Sequence, residues 1–180
     1  MFTFEGEIKL DRIIEGALYA IRWPSDQCNC WVEMADRLQD VEYLTDFFTE
    51  HREKLGYFKK SITDAVWRTR NESNELIQEL LKMAKNATTT QEPDLEALFE
   101  PLHRKEGYLH SRFHTDYKVK GHPDDAPWVR IYAVRCDENL YVITGYGIKL
   151  VRQMKDDPLL VIELNKLEKA TGFLKTLGML

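Results

Sequence analysis

What this chain has little of narrows the reading first. It holds three cysteines in 180 residues, an odd number that argues against a disulfide framework and for a reducing compartment. It lacks any apolar run near the roughly 20 residues a bilayer-crossing helix needs, and Met1 does not open a basic-then-apolar leader. A cytoplasmic location without membrane association is therefore expected. Internal repeats and low-complexity tracts are absent. Cys28-Asn29-Cys30 is not followed by a second Cys/His pair at metal-site spacing, so two reduced, partly buried thiols are expected there and no metal. No Ser or Cys nucleophile is marked by a turn motif, which leaves a catalytic triad without support. Thr144-Gly145-Tyr146-Gly147-Ile148-Lys149 lacks P-loop spacing and is not followed directly by a capped helix. A nucleotide site is not expected, and no cofactor is called for.

A surplus of positive charge is missing too, the formal net charge being −5. That total hides an asymmetry. Residues 1–100 carry 12 Lys+Arg against 20 Asp+Glu, whereas residues 101–180 carry 13 against 10. His103, His110, His114 and His122 also fall in the second part. A basic, histidine-bearing segment on an acidic protein is compatible with a polyanion site. Ordinary charge scatter over a surface accounts for the same counts.

With 43% hydrophobic and 31% charged residues, the chain suits a single domain over 1–180 with a real core. Residues 1–30 read as an N-terminal β extension, and 31–180 as helices plus an antiparallel sheet and a C-terminal helix. Most of the β-signal lies in Trp128–Leu150. Two runs of β-branched, aromatic and aliphatic residues flank the turn Asp137-Glu138-Asn139. Apolar residues occur on both parities, so this hairpin is expected to be central and covered on both faces. Arg130 and Arg135 sit inside it on opposite parities. A charge on a covered strand must be paired, snorkel to an edge, or face a functional cleft.

Taken in order, Phe2–Ile8 and Ala17–Trp23 read as strands, the second ended by Pro24. From Trp31 to Leu55, Leu38, Val41, Leu44, Phe47 and Phe48 recur at helical spacing, with Gly56 as a stop. A second helix is expected over Ser61–Ala84, in which Asn71-Glu72-Ser73-Asn74 is either a break or a solvated face. His51, among charged neighbours, reads as exposed and inert. Asn86–Pro93 reads as a loop and Leu95–Phe99 as a short helical turn ended by Pro101. Leu109–Lys120 alternates like a strand with one basic face. Asp156-Asp157-Pro158 is helix-start chemistry, and Leu160, Leu164, Leu167, Thr171 and Leu174 form one stripe behind it.

The residues that carry chemistry form a diffuse set: Arg112, His114, Lys118, Arg130, Arg135, Tyr146, Lys149 and Arg152. RNA cleavage through its own 2′-hydroxyl needs a base or oriented group at that oxygen and cations for the phosphorane charge. Arg, Lys, His and Tyr supply these without metal, and Tyr146 could also stack on a base. The alternative is that each cation solvates an edge and Tyr146 packs.

The order of pieces in residues 40–180 resembles the RelE/HigB-like toxins of type II toxin–antitoxin systems, particularly their phage-derived branch, mainly over 95–180. The matching features are Leu98-Phe99-Glu100-Pro101-Leu102 before a strand, Val129-Arg130-Ile131-Tyr132, and Leu140-Tyr141-Val142-Ile143. A Gly-containing segment ending in Lys149 follows, then Pro158 and Glu163 opening a final helix. The resemblance implies an α+β, RelE-like core, an antiparallel sheet packed by two to three helices. It also implies a metal-independent mRNA endoribonuclease, free or acting on the ribosome and neutralised by a small antitoxin protein. His114, Arg130, Tyr146 and Lys149 would then be catalytic, and Arg112, Lys118, Arg135 and Arg152 would hold RNA. The competing reading is a non-enzymatic protein-binding module on a toxin-like scaffold, its acidic helices docking a partner. A homo-oligomer is left open.

Overall fold

The computed structural model describes residues 7–89, 95, 98–101, 112–115, 127–151 and 154–180, of which 100, 101, 112–115 and 154 are described as backbone. The fold is α+β. Its N-terminal hairpin joins β1 (Lys9–Ile14) to β2 (Leu18–Arg22) through Gly16, whose φ of +77° suits glycine and strains other residues. Of the expected strand Phe2–Ile8, residues 2–6 lie outside the described residues and Glu7 and Ile8 are not in a strand, so β1 is the first strand among the described residues. Its sequence, KLDRII, is polar enough to read as a loop, but β1 is the outermost strand and buries none of its residues fully.

Between Trp31 and Leu55 the chain is broken into α1 (Cys30–Arg37), α2 (Val41–Glu50) and α3 (Arg52–Gly56). Side-chain caps set the breaks. Asn29 Oδ1 accepts the Val32 amide at 3.0 Å, and Asp40 Oδ1 accepts those of Glu42 and Tyr43 at 2.8 and 3.1 Å. His51, between α2 and α3, is half-buried and stacks on Phe47 with ring centroids 4.3 Å apart. α4 (Ile62–Thr89) then runs unbroken, its start fixed by Ser61 Oγ accepting the Asp64 amide at 3.1 Å. Asn71–Asn74 does not break the helix, and only Asn71 and Asn74 are solvated, because Glu72 and Ser73 are buried. Glu72 Oε2 accepts the backbone amides of Trp128 and Val129 at 3.0 and 3.2 Å. Arg68 binds the other Glu72 oxygen at 2.7 Å and lies over the Trp128 ring. The buried carboxylate thus ties α4 to the sheet at a point where two amides and a cation satisfy it.

The remaining strands among the described residues are β3 (Phe99–Pro101), which follows helical Leu95 and Leu98 and takes only Phe99 from the expected helical turn, β4 (Arg112–Thr115), β5 (Val129–Asp137) and β6 (Leu140–Ile148). The β5–β6 hairpin is the one expected from sequence. Together the strands form one six-stranded sheet in the order β1-β2-β6-β5-β4-β3. It is mixed rather than antiparallel, since β2 runs parallel to β6, from Leu18 opposite Tyr141 to Ala20 opposite Ile143. The reason is topological. β2 and β6 are separated by the helices and the β3–β5 meander, and such long crossovers permit the parallel arrangement that tight turns forbid. The N-terminal strands are therefore part of the sheet, with β2 directly beside β6.

Five helices, rather than two or three, pack this sheet among the described residues, the last being α5 (Pro158–Thr176). One face of the hairpin, including Ile131, Ala133, Tyr141 and Ile143, packs under α1–α4. The other, including Tyr132, Val134 and Val142, packs on Leu167, Ala170 and Leu174 of α5. Asp157 caps α5 through the Leu159 amide at 3.0 Å and binds Lys54 Nζ of α3 at 2.8 Å. The expected stripe of α5 is buried at Leu160, Leu167, Thr171 and Leu174, and it also contains a carboxylate, Glu163.

Candidate functional site

β2 ends at Arg22, and Trp23-Pro24 leads the chain away, but β6 continues. From Thr144 to Ile148 its β2-side edge has no strand beside it among the described residues. The first part of this edge is closed by side chains. Cys30 Sγ donates to the Ile143 carbonyl at 3.2 Å, and Trp23 Nε1 donates to the Thr144 carbonyl at 3.1 Å. Beyond that, the antiparallel alternation decides which backbone groups point outward. Lys149 N donates to Trp128 O at 2.8 Å, so in this register Gly145 and Gly147 bond toward β5 while Tyr146 and Ile148 turn their N–H and C=O to the open edge.

Around that edge lies a cleft of about 150 Å³, between α1 and α2 on one side and α5 on the other. Leu38, Phe47, Leu160 and Ile148 form its apolar walls, with Leu159 and Ile162 at its rim, 47% and 50% exposed. Its charged groups come in matched pairs. Arg37 meets Glu33 at 2.9 Å, one helical turn apart, and Lys166 meets Glu163 Oε1 at 2.9 Å. Arg37 also donates to the Tyr146 phenol oxygen and lies over the Tyr43 ring. Burial raises the Tyr146 hydroxyl above the usual phenol range, with Glu33 and Tyr43 adding to the shift and Arg37 opposing it. Tyr146 is therefore a neutral phenol.

Glu163 is the least comfortable group in the cleft. Its side chain is only 10% exposed, and Oε2 has no hydrogen-bond partner of good geometry. Burial raises its carboxyl above the ordinary glutamate value, and Glu33 adds to this. Lys166 and the facing Tyr146 amide pull the other way. The carboxylate reaches the strand only because position 145 is glycine. A Cβ there would stand 1.7 Å from Oε2, and a Cβ at Gly147 would stand 2.8 Å from Leu160 Cδ2. The two glycines permit the close approach of α5 to β6, one of the roles such residues play in strands.

Of the eight residues singled out from sequence, the structure does not gather the four whose side chains are described. Tyr146 lies in the cleft. Arg130 is buried on the opposite face of the sheet, donating to the Val129 carbonyl at 2.9 Å. Arg135, at the turn end of β5, donates to the Asp137 carbonyl at 3.1 Å. Lys149 is half-buried just past β6. Arg112 and His114 are described only as backbone of β4, and Lys118 and Arg152 lie outside the described residues.

The cleft residues Glu33, Arg37, Tyr43 and Lys166 are not among the site residues expected from the sequence. On an amphipathic helix, each reads as part of a solvated face. One signal was present. Glu163 lies three residues after Leu160 and four before Leu167, so a carboxylate interrupts an apolar stripe opposite a Gly-x-Gly strand.

Among the described residues no group of His, Cys, Asp and Glu is arranged to hold a metal ion. No helix among them is long and apolar enough to cross a membrane. No family model, curated protein or solved structure matches the chain.

Proposed function

We propose that this chain is a protein-binding domain on a toxin-like scaffold, working in the cytoplasm, and that its partner seats in the cleft beside β6. The observation that carries this reading is the joining of a strand edge that pairs with no strand among the described residues to exposed apolar residues, Leu159 and Ile162, at one rim. Strand edges offer main-chain hydrogen bonds to an extended polypeptide, and adjacent pockets sort its side chains. The matched ion pairs inside the cleft fix its shape and leave no strong net charge to attract a polyanion. Affinity capture from the source cells tests the reading, using the wild-type chain, Ile162→Asp at the rim and Leu177→Asp at the far end of α5. A partner retained by Leu177→Asp and lost by Ile162→Asp supports it. Equal capture by all three proteins counts against it.

A second reading is the metal-independent endoribonuclease of the RelE/HigB-like kind, neutralised by an antitoxin. Two observations favour it. Helices precede a β3–β6 meander that is followed by a helix opening at Asp157-Pro158, and Tyr146 stands beside Arg37 and Lys166. This reading assigns RNA contacts to Arg112, His114, Lys118, Arg130, Arg135, Lys149 and Arg152, of which Arg130 is buried and Arg135 lies at the turn end of β5. Induced expression with mapping of mRNA 5′ ends decides it. Growth arrest with new 5′ ends, abolished by Lys149→Ala, is the expected result, and normal growth with intact mRNA rejects it.

A further inference from the structure

Resting on the binding-domain reading, we propose that the cleft holds the free N-terminus of an extended polypeptide, laid parallel to β6 with its α-ammonium group against Glu163. Three backbone positions set the geometry. Tyr146 C=O and Ile148 N–H both face the open edge and bracket Gly147. In parallel pairing one residue donates its N–H to the carbonyl before the opposite residue and accepts the amide after it. A single partner residue opposite Gly147 satisfies both groups. The residue two further along can donate to the Ile148 carbonyl, and the segment then runs on toward Lys149.

Such a segment cannot extend in the other direction. The next outward amide belongs to Tyr146, which the Glu163 carboxyl group faces, and the Thr144 carbonyl is taken by Trp23. A longer parallel strand would drive its preceding carbonyl against that carboxylate. An antiparallel strand spanning Tyr146 would do the same. A chain that begins opposite Gly147 has no preceding carbonyl. In its place it has an ammonium group with three donors, where an internal amide has one.

The Glu163 side chain is nine-tenths buried, and its Oε2 lacks a hydrogen-bond partner of good geometry, the Tyr146 amide being the backbone group that faces the carboxyl. That oxygen can take one ammonium proton while Tyr146 C=O takes another. Lys166 holds the opposite oxygen, Oε1, at 2.9 Å and keeps the carboxylate oriented. Glu33 adds negative charge from α1. Burying a carboxylate oxygen without a partner is costly, and a positively charged donor relieves that cost where a neutral internal segment would not. The α-amino group of a polypeptide is protonated over most of the physiological range. It is also the one backbone group that distinguishes the start of a chain from its interior.

The test uses the full chain and a mixed-sequence library of hexapeptide amides, prepared once with a free α-amine and once N-acetylated. Free-amine peptides are expected to bind and to slow hydrogen exchange at the Ile148 amide. Acetylation is expected to weaken binding about tenfold or more, the scale of a hydrogen bond to a charged group. Glu163→Gln, checked for folding by its thermal transition, is expected to bring the affinity for free-amine peptides down to that for acetylated ones. Equal binding of both libraries, unchanged exchange at Ile148, or no binding of free-amine peptides overturns the proposal. The underlying reading fails separately. A captured partner that depends on Ile162 but binds equally after acetylation of its own N-terminus removes only the N-terminal inference. Absence of any Ile162-dependent partner removes both.

Discussion

β6 lives two lives along nine residues. Its first half, Tyr141–Ile143, has a strand on each side and helices above and below, and all three residues are fully buried. Its second half, Thr144–Ile148, has β5 on one side and a cleft on the other. The change occurs at Thr144, the bulge residue between Ile143 opposite Ala133 and Gly145 opposite Tyr132. A bulge bends its strand and commonly sits where pairing ends or a site begins. In the first half sequence is spent on volume, with Tyr141 stacked 4.5 Å from Phe99. In the second it is spent on access, through two glycines and a phenol. The lesson is that one strand can belong to the core at one end and to a site at the other, without changing its role in the hairpin.

That contrast can be broken at several points. The largest effect is expected at Ile143→Ala, which opens a cavity in the closed half and should cost about 2–5 kcal/mol in urea unfolding. A loss well below that range would mean the first half is looser than its burial implies. Next comes Gly145→Ala, which sets a methyl group against the Glu163 carboxylate and should cost about 1–3 kcal/mol as overpacking. Combining it with Glu163→Ala should recover much of that loss. Simple additivity in this double-mutant cycle would deny the contact between strand and helix.

Smaller effects separate the two carboxylates of the α5 start by pH. For Glu163 the folded-state pKa is raised, so the folded state holds its proton more tightly than the unfolded state. Stability should therefore rise as pH falls from neutral toward the ordinary glutamate value of 4.5, and Glu163→Gln should flatten this trend. Asp157 behaves oppositely. Burial works against its ionised form, but Lys54, the Leu159 amide and His51 outweigh burial and lower its pKa. Its contribution is full above the ordinary aspartate value of 3.8 and is lost as pH falls through the lower folded-state value. Denaturant midpoints measured across pH 3–7, with each variant beside the wild type, check both signs. The smallest effect is expected at the open mouth of the cleft. Arg37→Ala removes a pair whose arginine side chain is 52% exposed, together with the donor to the Tyr146 phenol, and should cost about 0.5–1 kcal/mol in the same assay.

The sequence made the sheet centre legible and the cleft nearly invisible, for a physical reason. Residues such as Val142 and Ile143 announce a strand through their own shape. Asp157-Pro158 announces a helix start because capping is a local interaction. Helix breaks were harder. Asp40 caps α2, yet the apolar spacing of Leu38, Val41 and Leu44 runs through it as though one helix continued. The parallel placement of β2 beside β6 joins segments more than 100 residues apart, and no local pattern encodes that. The cleft draws on α1, α2, β6 and α5 at once, so Glu33, Arg37 and Lys166 acquire meaning only when the topology brings them together. Tyr146 was identified because glycines on either side made it conspicuous. The basic residues were grouped by sign of charge, and sign says nothing about which face of a sheet Arg130 or Arg135 occupies.

The fit of Glu163 against Gly145 has a consequence for how this chain can change over generations. A side chain at 145 is tolerable only after the carboxylate at 163 has shortened or swung away, whereas shortening 163 first leaves a small void and releases Lys166. The second route is the gentler one. Related chains should therefore pass through a small residue at 163 before acquiring alanine or serine at 145, and the two positions should vary together. A glycine that persists beside a glutamate, and disappears only where the glutamate has gone, would be the trace this contact leaves in ancestry.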